Sequence, residues 1–427
     1  MLAAVALVAF FSSYDTLPLT LSAPFADLFA HARTDQTYAV TGSMTVGGRT
    51  IEGVTFTVRG HTSLRESECS FPKLKLDFPP ESGLHPLKIG THCGETAGSE
   101  VTAKYGRLAN DRSPHREAAV YRLLEAIGLP ALKARPARIT YVDTGASGQT
   151  ATRLERNAML VEGTGVAMKR LGASKEIEEA AFTNARDAFA PEDTAALAFA
   201  EAMIGNFDWC LRMVPKDAYR CDSQHPLWNV LALADAGGRT RPVMYDFDVA
   251  GMVVGHHRWF RDVFTTTFAS GATETSIEVL AQLQRARTLF TRAELDATRR
   301  RFLQQKANAY RAVESATIDA AGRQQMTRYL DSFFAAIASD AEFYRAAVVA
   351  ADTTAYADAG GASVACAARP HVPIGTPVSD PLNKDGRLVQ VRVLDALWHW
   401  APPVKCPVTR DAVWIDSAAI GVSFPAK

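Results

Sequence analysis

The sequence has no net charge, because 46 lysines and arginines balance 46 aspartates and glutamates. Without an overall field to attract nucleic acid or anionic lipid, we expect no nucleic-acid partner. Internal repeats of solenoid length and low-complexity tracts are also missing, which excludes a repeat protein and a disordered chain. The hydrophobic share of 47% is ordinary for a soluble globular protein.

The apolar runs are too short to cross a bilayer, so we expect no integral membrane span. The N-terminal run Leu2–Phe11 has the length of a signal-peptide core, and a small-residue site lies near Ser22-Ala23. No basic residues precede that core, so a buried first strand or helix, or a start codon placed too far downstream, is the alternative. We treat residues 1–23 as a candidate signal peptide and expect a periplasmic or extracellular protein, with a cytoplasmic one as the alternative.

Cysteine is scarce, and its positions form three sequence-local pairs: Cys69/Cys93, Cys210/Cys221 and Cys366/Cys406. An even count with this spacing favours disulfides in an oxidising compartment, and buried thiols in a cytosolic protein are the alternative. No C-x-x-C pair lies near a second such pair or an H-x-x-x-H, which disfavours structural zinc.

Several well-known catalytic motifs are missing from the sequence. There is no G-x-x-x-x-G-K-[ST] phosphate loop and no dinucleotide-binding G-x-G-x-x-G. A serine hydrolase is unsupported, since no G-x-S-x-G elbow occurs.

The pattern of apolar residues predicts an α+β protein with a β-rich first half. Alternating segments predict strands at Tyr38–Val40, Met44–Val46, Val54–Val58, Lys73–Phe78, Ala137–Tyr141 and Asn157–Val161. Gly47-Gly48 predicts a hairpin turn. Ser113 and Pro114 predict a helix start, with Ser113 as the cap, and Gly128 closes that helix.

The second half is predicted to be mainly helical. Pro191–Ile204 and most of 276–350 have helical spacing, and Thr291–Glu294 matches a capping box. Asp358–Ser363 has the composition of a linker, and short strands follow it. We therefore predict a β-rich lobe at 24–165, a helical lobe at 166–357 and a small SH3-like β domain at 364–427.

Four polar residues of the second half occur in an order typical of phosphoryl transfer. Asp208 lies in I-G-N-F-D-W, Asn229 in W-N-V, and Asp246 and Asp248 in Y-D-F-D-V-A-G. Carboxylate and amide oxygens are the ligands that Mg²⁺ or Mn²⁺ prefers, and phosphoryl transfer needs such charges around the phosphates. Each residue alone is equally typical of a turn, and the three aspartates also fit a metal-dependent hydrolase.

Residues 58–261 contain further segments that complete this order. They are V-R-G-H-T-S (58–63), F-P-K-L-K-L-D-F (71–78), R-E-A-A-V-Y-R-L-L (116–124), I-G-N-F-D-W (204–209), W-N-V (228–230) and P-V-M-Y-D-F-D-V-A-G (242–251). Together they resemble the CotH (spore-coat protein H) kinase-like family of secreted atypical kinases. The resemblance implies a two-lobed kinase-like fold that transfers the γ-phosphate of ATP, with Mg²⁺ or Mn²⁺, to a protein hydroxyl. A protein of the cell envelope is one candidate acceptor.

The same resemblance implies roles for individual residues. Asp208 would be the catalytic base, and the metal ligands would be Asn229, Asp246 and Asp248, of which Asp248 could instead support the first metal. Lys75 or Lys73 would face the ATP phosphates in an ion pair with Glu117, and Arg59 would contact phosphates or cap a hairpin. Lys75 is favoured because it lies further into its strand.

One departure from ordinary kinases is the twenty-residue insert between Asp208 and Asn229, where those enzymes have four residues. A Cys210–Cys221 disulfide would hold that insert and stabilise the fold by roughly 2–4 kcal/mol. The insert and the missing Gly-rich loop keep a second interpretation open, a non-catalytic pseudokinase or cell-envelope scaffold.

Overall fold

We describe the fold from a computed structural model of the chain. It describes residues 10–60, 71–91, 108–145, 152–213, 221, 225–255, 274–344, 347–349, 353–368, 373–375, 377–382, 387–392 and 412–421. The chain divides into two compact units. The first comprises 1–173, 246–257 and 309–326, and the second comprises 174–245, 258–308 and 327–427.

The first unit is built on a closed barrel of strands in the order β1-β2-β3-β4-β5-β7-β6. Its strands are β1 (Leu17–Ala23), β2 (Ala39–Val46), β3 (Arg49–Arg59), β4 (Lys73–Asp77), β5 (Leu87–Thr91), β6 (Ala134–Asp143) and β7 (Thr152–Glu162). All neighbours are antiparallel except β1 and β6, which run parallel and close the barrel.

Alternation along the strands fills the barrel with apolar side chains. Leu74 and Leu76 of β4 point inward with Phe56 of β3, and all three are fully buried. Gly47 and Gly48 have φ of 56° and 76° and form the predicted hairpin turn between β2 and β3. The predicted strands of this region are confirmed, except that 38–40 and 44–46 belong to one continuous strand.

The helices of the first unit pack on this barrel or follow it. Those in its N-terminal segment, 1–173, are α1 (Phe25–Ala32), α2 (Ser113–Ala126) and α3 (Thr164–Arg170). Helix α2 carries Pro114 in its first turn, as predicted, but Arg112 is the cap and Ser113 already belongs to the helix. The Ser113 hydroxyl accepts a hydrogen bond from the Asn110 N–H and donates one to the Leu108 carbonyl, so it orders the preceding turn instead.

The second unit contains most of the helices. In chain order, those that follow α3 are α4 (Ala185–Ala188), α5 (Pro191–Ile204), α6 (Gly251–Val254), α7 (Glu274–Leu289), α8 (Arg292–Gln304), α9 (Lys306–Glu314), α10 (Ala320–Ala336) and α11 (Asp340–Phe343). Of these, α6 and the facing ends of α9 and α10 belong to the first unit.

Helix α5 has the predicted bounds and is the centre of the second unit. Its Phe199 ring lies 5.7 Å from Phe302 and 5.6 Å from Phe343, between ring centroids. The predicted capping box is present, since Thr291 accepts from the Glu294 N–H while the Glu294 carboxylate accepts from the Thr291 N–H. Helix α10 buries the apolar side chains of Met326, Leu330, Phe333 and Phe334.

Short strands complete the second unit. They are β8 (Ala173–Ile177), β9 (Cys210–Leu211), β10 (Leu227–Trp228), β11 (Val230–Asp235), β12 (Thr240–Met244), β13 (Ala347–Val349), β14 (Thr353–Tyr356), β15 (Val364–Ala368), β16 (Pro373–Gly375), β17 (Pro377–Leu382), β18 (Leu388–Arg392), β19 (Ala412–Asp416) and β20 (Ile420–Gly421). They form the sheets β10-β9, β12-β11-β8, β16-β13-β20 and β15-β14-β19-β18-β17.

The Asp358–Ser363 segment is a hairpin loop and not the predicted linker. It joins β14 to β15, which pair with each other, and the Asp358 carboxylate accepts from the backbone N–H groups of Gly360, Ala362 and Ser363. The linker prediction was wrong because Asp and Gly suit a tight turn as well as a flexible connection. The SH3-like domain at 364–427 and the lobe boundaries at 24–165 and 166–357 stay predictions.

The N-terminal segment enters the barrel before residue 23. Strand β1 covers Leu17–Ala23 and pairs with β2 and β6, so the candidate signal peptide 1–23 overlaps a barrel strand. Export stays a prediction. Among the described residues, no helix is both long and apolar enough to cross a membrane.

Candidate functional site

A lysine and two aspartates form the centre of a polar group in the first unit. Lys73 lies at the start of β4 with 6% of its surface exposed. Its Nζ lies 2.7 Å from Oδ1 of Asp246 and 2.8 Å from Oδ2 of Asp248. The two aspartates follow β12 after Tyr245, and their side chains stay 28% and 36% exposed. Lys73 is therefore buried, while the two aspartates that pair with it remain accessible to solvent.

Helix α2 holds the Asp246–Asp248 segment through two side chains one turn apart. Oε1 of Glu117 accepts a hydrogen bond from the Phe247 N–H at 3.2 Å, and Oη of Tyr121 accepts one from the Asp246 N–H at 2.9 Å. The backbone of Asp246 has φ 62°, in the left-handed region that non-glycine residues rarely adopt. These two bonds support that conformation and aim the Asp246 carboxylate at Lys73.

The charges of this group, the Lys73 cluster (Lys73, Glu117, Tyr121, Asp246, Asp248), shift one another's pKa values. Burial alone would lower the pKa of Lys73, but the Asp246 and Asp248 carboxylates outweigh it and raise that pKa. Burial raises the pKa of Glu117 to about 8, Asp248 and Asp246 add to the rise, and Lys73 opposes it. Burial opposes ionisation of Asp246 too, yet Lys73 and then Arg59 lower its pKa. Of the two acids Glu117 and Asp246, Glu117 is thus the one whose surroundings favour the protonated form.

The two candidate lysines have different partners in the structure. Lys75 is 45% exposed and pairs with Asp77 on its own strand, at 2.9 Å, whereas Lys73 binds Asp246 and Asp248, so the contacts favour Lys73 over the preferred Lys75. Which lysine faces the ATP phosphates stays a prediction. Both lysines lie on the outer face of β4, but only the first position of the strand lies beside the Asp246–Asp248 segment. The predicted direct ion pair with Glu117 is not formed among the described residues, because Lys73 bonds the aspartates and Glu117 bonds the Phe247 N–H.

Two further residues of the first unit bear on the cluster, and one of them, Arg59, was predicted. Arg59 ends β3 opposite Lys73, and Lys88 of β5 lies opposite Lys75; both lower the pKa of Asp246. Lys88 and Tyr121 were missed by the sequence reasoning. The alternation of β5 could have suggested Lys88, whereas Tyr121 reads as one more residue of an apolar helix face.

The residue before Glu117 ties α2 to the segment that follows Asp248. Arg116 is fully buried, and its guanidinium donates to both carboxylate oxygens of Asp319, at 2.9 and 3.2 Å. It also donates to the Val253 carbonyl of α6 at 3.0 Å and to the Leu108 carbonyl. Sequence reasoning missed Arg116 because a charged residue on a helix is usually exposed.

Asp208 belongs to a second group, in the second unit, where α5 ends. Gly205 closes α5 with φ 66°, a conformation that glycine adopts without strain. The buried Asn206 then accepts the Asp208 N–H on its Oδ1 at 2.9 Å, and its own carbonyl accepts from Nε2 of Gln282 at 2.8 Å. Two hydrogen bonds of Asn206, one through its side chain and one through its carbonyl, therefore fix the turn that carries Asp208.

The insert brings Asn229 back to Asp208. Nδ2 of Asn229 donates to the Asp208 carbonyl at 2.6 Å and to its Oδ2 at 3.2 Å. The return is made by β9 and β10, in which Cys210 pairs with Trp228, and by the Cys210–Cys221 disulfide. The disulfide prediction for this pair is confirmed. Cys69, Cys93 and Cys406 of the other two predicted pairs lie outside the described residues.

A buried acid lies close enough to Asp208 to interact with it. Glu201 of α5 is fully buried. Burial raises the pKa of Glu201 well above its ordinary range, the Asp208 carboxylate adds to the rise, and Asn206 opposes it. Burial thus favours the protonated, neutral form of Glu201, which lessens the negative charge close to Asp208.

The donor chemistry of the Lys73 cluster fits a hard divalent cation. Among the residues the structure describes, no three His, Cys, Asp or Glu side chains are grouped as a metal site. Asp246 and Asp248 nevertheless converge on one cation position, which the Lys73 ammonium marks. Mg²⁺ is commonly held by one or two carboxylates, with water and substrate phosphates completing its shell. The structure thus brings the predicted residues together as two groups, Asp246 and Asp248 with Lys73 and Glu117, and Asp208 with Asn229.

The raised pKa of Glu117 makes stability depend on pH. An acid whose folded pKa lies above its unfolded value of 4.5 stabilises the fold fully below pH 4.5, and this is lost as pH rises to about 8. Glu117→Gln keeps an acceptor for the Phe247 N–H but does not titrate. In urea unfolding at pH 5 to 8, we expect wild type to lose roughly 1 kcal/mol per pH unit relative to this variant. The exposed Glu81→Gln should follow wild type, and parallel curves for wild type and Glu117→Gln would contradict the assignment.

No protein-family model matches the sequence, and no curated protein matches it. The solved structures that are similar to it include two kinases. The Helicobacter pylori proinflammatory kinase CtkA has 9% identity and a TM-score of 0.33, over 61% of this chain and 90% of that one. The Golgi casein kinase has 10% identity and a TM-score of 0.34, over 66% of this chain and 71% of that one. Both are kinases, and at this level of similarity we derive the function from the two groups of side chains described above.

Proposed function

We propose that this protein is an ATP-dependent phosphotransferase of CotH-like type, which moves the γ-phosphate of ATP to a protein hydroxyl. The observation that carries the proposal is the Lys73 cluster. A buried lysine bridges two partly exposed aspartates, and a helix glutamate holds the segment between them. Phosphoryl transfer is catalysed mainly by positioning and by such preorganised charge.

In the proposed reaction, a bond forms between the acceptor oxygen and the γ-phosphorus while the bond to ADP breaks. Asp208 accepts the proton of the acceptor hydroxyl, and Asn229 orients Asp208 through its two hydrogen bonds. Lys73 faces the ATP phosphates, with Arg59 and Lys88 adding positive charge. Asp246 and Asp248 would hold Mg²⁺ or Mn²⁺, which would neutralise phosphate charge when bound. The metal-ligand role of Asn229 stays a prediction from the sequence.

We further propose that the protein works in the periplasm or outside the cell, on an acceptor in the cell envelope. The Cys210–Cys221 disulfide supports an oxidising compartment. The C-terminal SH3-like domain would then be a binding module. Mass spectrometry of the protein isolated from its host without reductant tests the compartment, and a reduced Cys210–Cys221 pair would argue against it.

A non-catalytic pseudokinase or scaffold is the second candidate. The observation that favours it is that Lys73 satisfies both aspartates through short ion pairs. The charges of Lys73 and of the two aspartates compensate one another in this network, so no nucleotide is needed to balance them. In this reading the cluster would only hold the first unit together.

Thermal unfolding with ATP, with Mn²⁺, with both and with neither separates these candidates. We expect a rise in Tm that requires both ligands, together with transfer of labelled γ-phosphate to acceptor protein. A rise with metal alone would indicate a metal-dependent hydrolase, and no rise at all would indicate the scaffold.

The variant Asp246→Asn tests whether phosphoryl transfer depends on the Lys73 cluster. Asparagine tolerates the left-handed backbone at this position and keeps an acceptor for Lys73, so the variant should fold. We expect it to abolish labelling while its far-UV circular dichroism matches wild type. Asp77→Asn, which removes a partly exposed carboxylate from β4, is the matched control and should label normally. Undiminished labelling by Asp246→Asn would remove Asp246 from the mechanism.

A further inference from the structure

One buried acid of the second unit has no role in the reaction proposed above. Glu201 lies in the last turn of α5 and is fully buried. Among the described residues, neither oxygen of its carboxyl group makes a hydrogen bond of ordinary geometry. The buried acids Glu117 and Glu162, by contrast, accept hydrogen bonds from backbone N–H groups. Because an unpaired carboxyl group in the interior costs free energy, the position of Glu201 requires an explanation.

The turn after α5 folds Asn206 back onto the helix turn that carries Glu201. Gly205 has φ 66° and reverses the chain. The Asn206 N–H then donates to the Glu201 carbonyl at 3.0 Å. Asn206 is fully buried as well, so its side-chain amide must find its partners inside the protein.

The hydrogen bonds of Asn206 fix which way its amide group points. Oδ1 accepts from the Asp208 N–H at 2.9 Å, and only the oxygen of the amide can meet a donor. Nδ2 therefore points away from that N–H. It is buried and, within the described part of the chain, makes no ordinary hydrogen bond. The Asn206 side chain opposes the rise of the Glu201 pKa as a hydrogen-bond donor does, so Nδ2 and the Glu201 carboxyl group face each other.

We propose that Glu201 is a positioning residue for Asp208 and acts through Asn206. The carboxyl group of Glu201 is the acceptor toward which Nδ2 of Asn206 is directed, and this keeps Oδ1 on the Asp208 N–H. Asn229 holds the same aspartate through its carbonyl and its Oδ2. One asparagine thus binds the backbone N–H of Asp208, and another binds its carboxylate. That Asp208 acts as the base rests on the proposed function.

Two substitutions of Glu201 separate its acceptor from its volume. Burial favours the protonated form of Glu201. In that form the group accepts on its carbonyl oxygen without placing a second negative charge near Asp208. Glutamine has the same length and also offers a carbonyl oxygen, whereas leucine offers no acceptor. Glu201→Gln therefore keeps the contact with Asn206, and Glu201→Leu removes it.

Amide hydrogen exchange of the full chain tests the positioning without an enzymatic assay. Mass spectrometry follows the peptide that contains Asp208. We expect exchange of the Asp208 N–H to be about tenfold faster in Glu201→Leu, the size expected when one hydrogen bond is weakened. Glu201→Gln should restore most of the protection. Leu197→Ala removes a buried side chain one turn earlier on α5 and, as the control, should leave this exchange at the wild-type rate.

Steady-state rates of γ-phosphate transfer measure what the positioning contributes. We expect Glu201→Leu to lower kcat about tenfold to a hundredfold, since a small misplacement of a catalytic group is costly. Its KM for ATP should stay within about twofold of wild type, because the Lys73 cluster is unchanged. Glu201→Gln should recover most of the lost kcat, and Leu197→Ala should keep the wild-type value.

Exchange at the wild-type rate in Glu201→Leu overturns the proposal, and so does faster exchange with an unchanged kcat. Equal losses in the glutamine and leucine variants also overturn it, because the acceptor would then not be what positions Asp208. Absence of transfer by wild type would instead contradict the proposed function. The exchange rates would still decide whether Glu201 positions Asp208.

Discussion

Replacing Lys73 by methionine is expected to reduce phosphoryl transfer by about a thousandfold, the upper range for loss of one preorganised charged donor. The Nζ of Lys73 is the cation that both Asp246 and Asp248 contact, at 2.7 and 2.8 Å. Lys75→Met is the matched control, because it removes a lysine from the same strand whose partner is Asp77. We expect Lys75→Met to keep its activity within about threefold, since exposed ion pairs contribute little. Rates of γ-phosphate transfer to the acceptor provide the measurement.

The Lys73 variant will also be less stable, because it leaves two neighbouring carboxylates without their cation. The loss should stay below the roughly 3–5 kcal/mol of a fully buried pair, since these aspartates are 28% and 36% exposed. The double variant Lys73→Met/Asp248→Asn removes one charge of each sign and should recover part of that loss without recovering activity. Comparable activity in Lys73→Met and wild type, or a larger loss in Lys75→Met, would contradict the role assigned to Lys73.

Replacing Arg116 by methionine is expected to lower the free energy of unfolding by about 3–5 kcal/mol. The guanidinium of Arg116 is fully buried. Its removal would leave the Asp319 carboxylate, which is only 17% exposed, without its ion-pair partner. It would also leave the Val253 and Leu108 carbonyls without their donor. Urea unfolding of both proteins gives the difference.

Two further variants make this prediction specific. Arg122→Met, on the same helix, removes an arginine that bonds Ser315 near the surface and should cost about 1 kcal/mol or less. Gly322→Ala should destabilise although it deletes nothing, because the added Cβ would lie 2.6 Å from Nε of Arg116 and displace it. If Arg116→Met costs no more than Arg122→Met, Arg116 does not hold α2 to its neighbours.

Local features of this protein followed from local sequence. The Gly47-Gly48 hairpin, the capping box of α8 and the bounds of α5 depend on residues close together in the chain, so their patterns sufficed. The α+β class was predicted for the same reason. The cap at Ser113 and the linker at Asp358–Ser363 were wrong, since serine and aspartate bond neighbouring backbone groups in turns as readily as at caps.

The sequence by itself determined that Asp208, Asn229, Asp246 and Asp248 occur in an order suited to phosphoryl transfer. Tertiary structure decided which side chains meet. Lys73 and Lys75 have the same local surroundings, and only the return of the chain 173 residues later puts Asp246 beside Lys73. Asn229 reaches Asp208 through strand pairing and a disulfide across the insert. Such meetings depend on contacts between residues far apart in the chain, and these leave no periodic signal in the sequence.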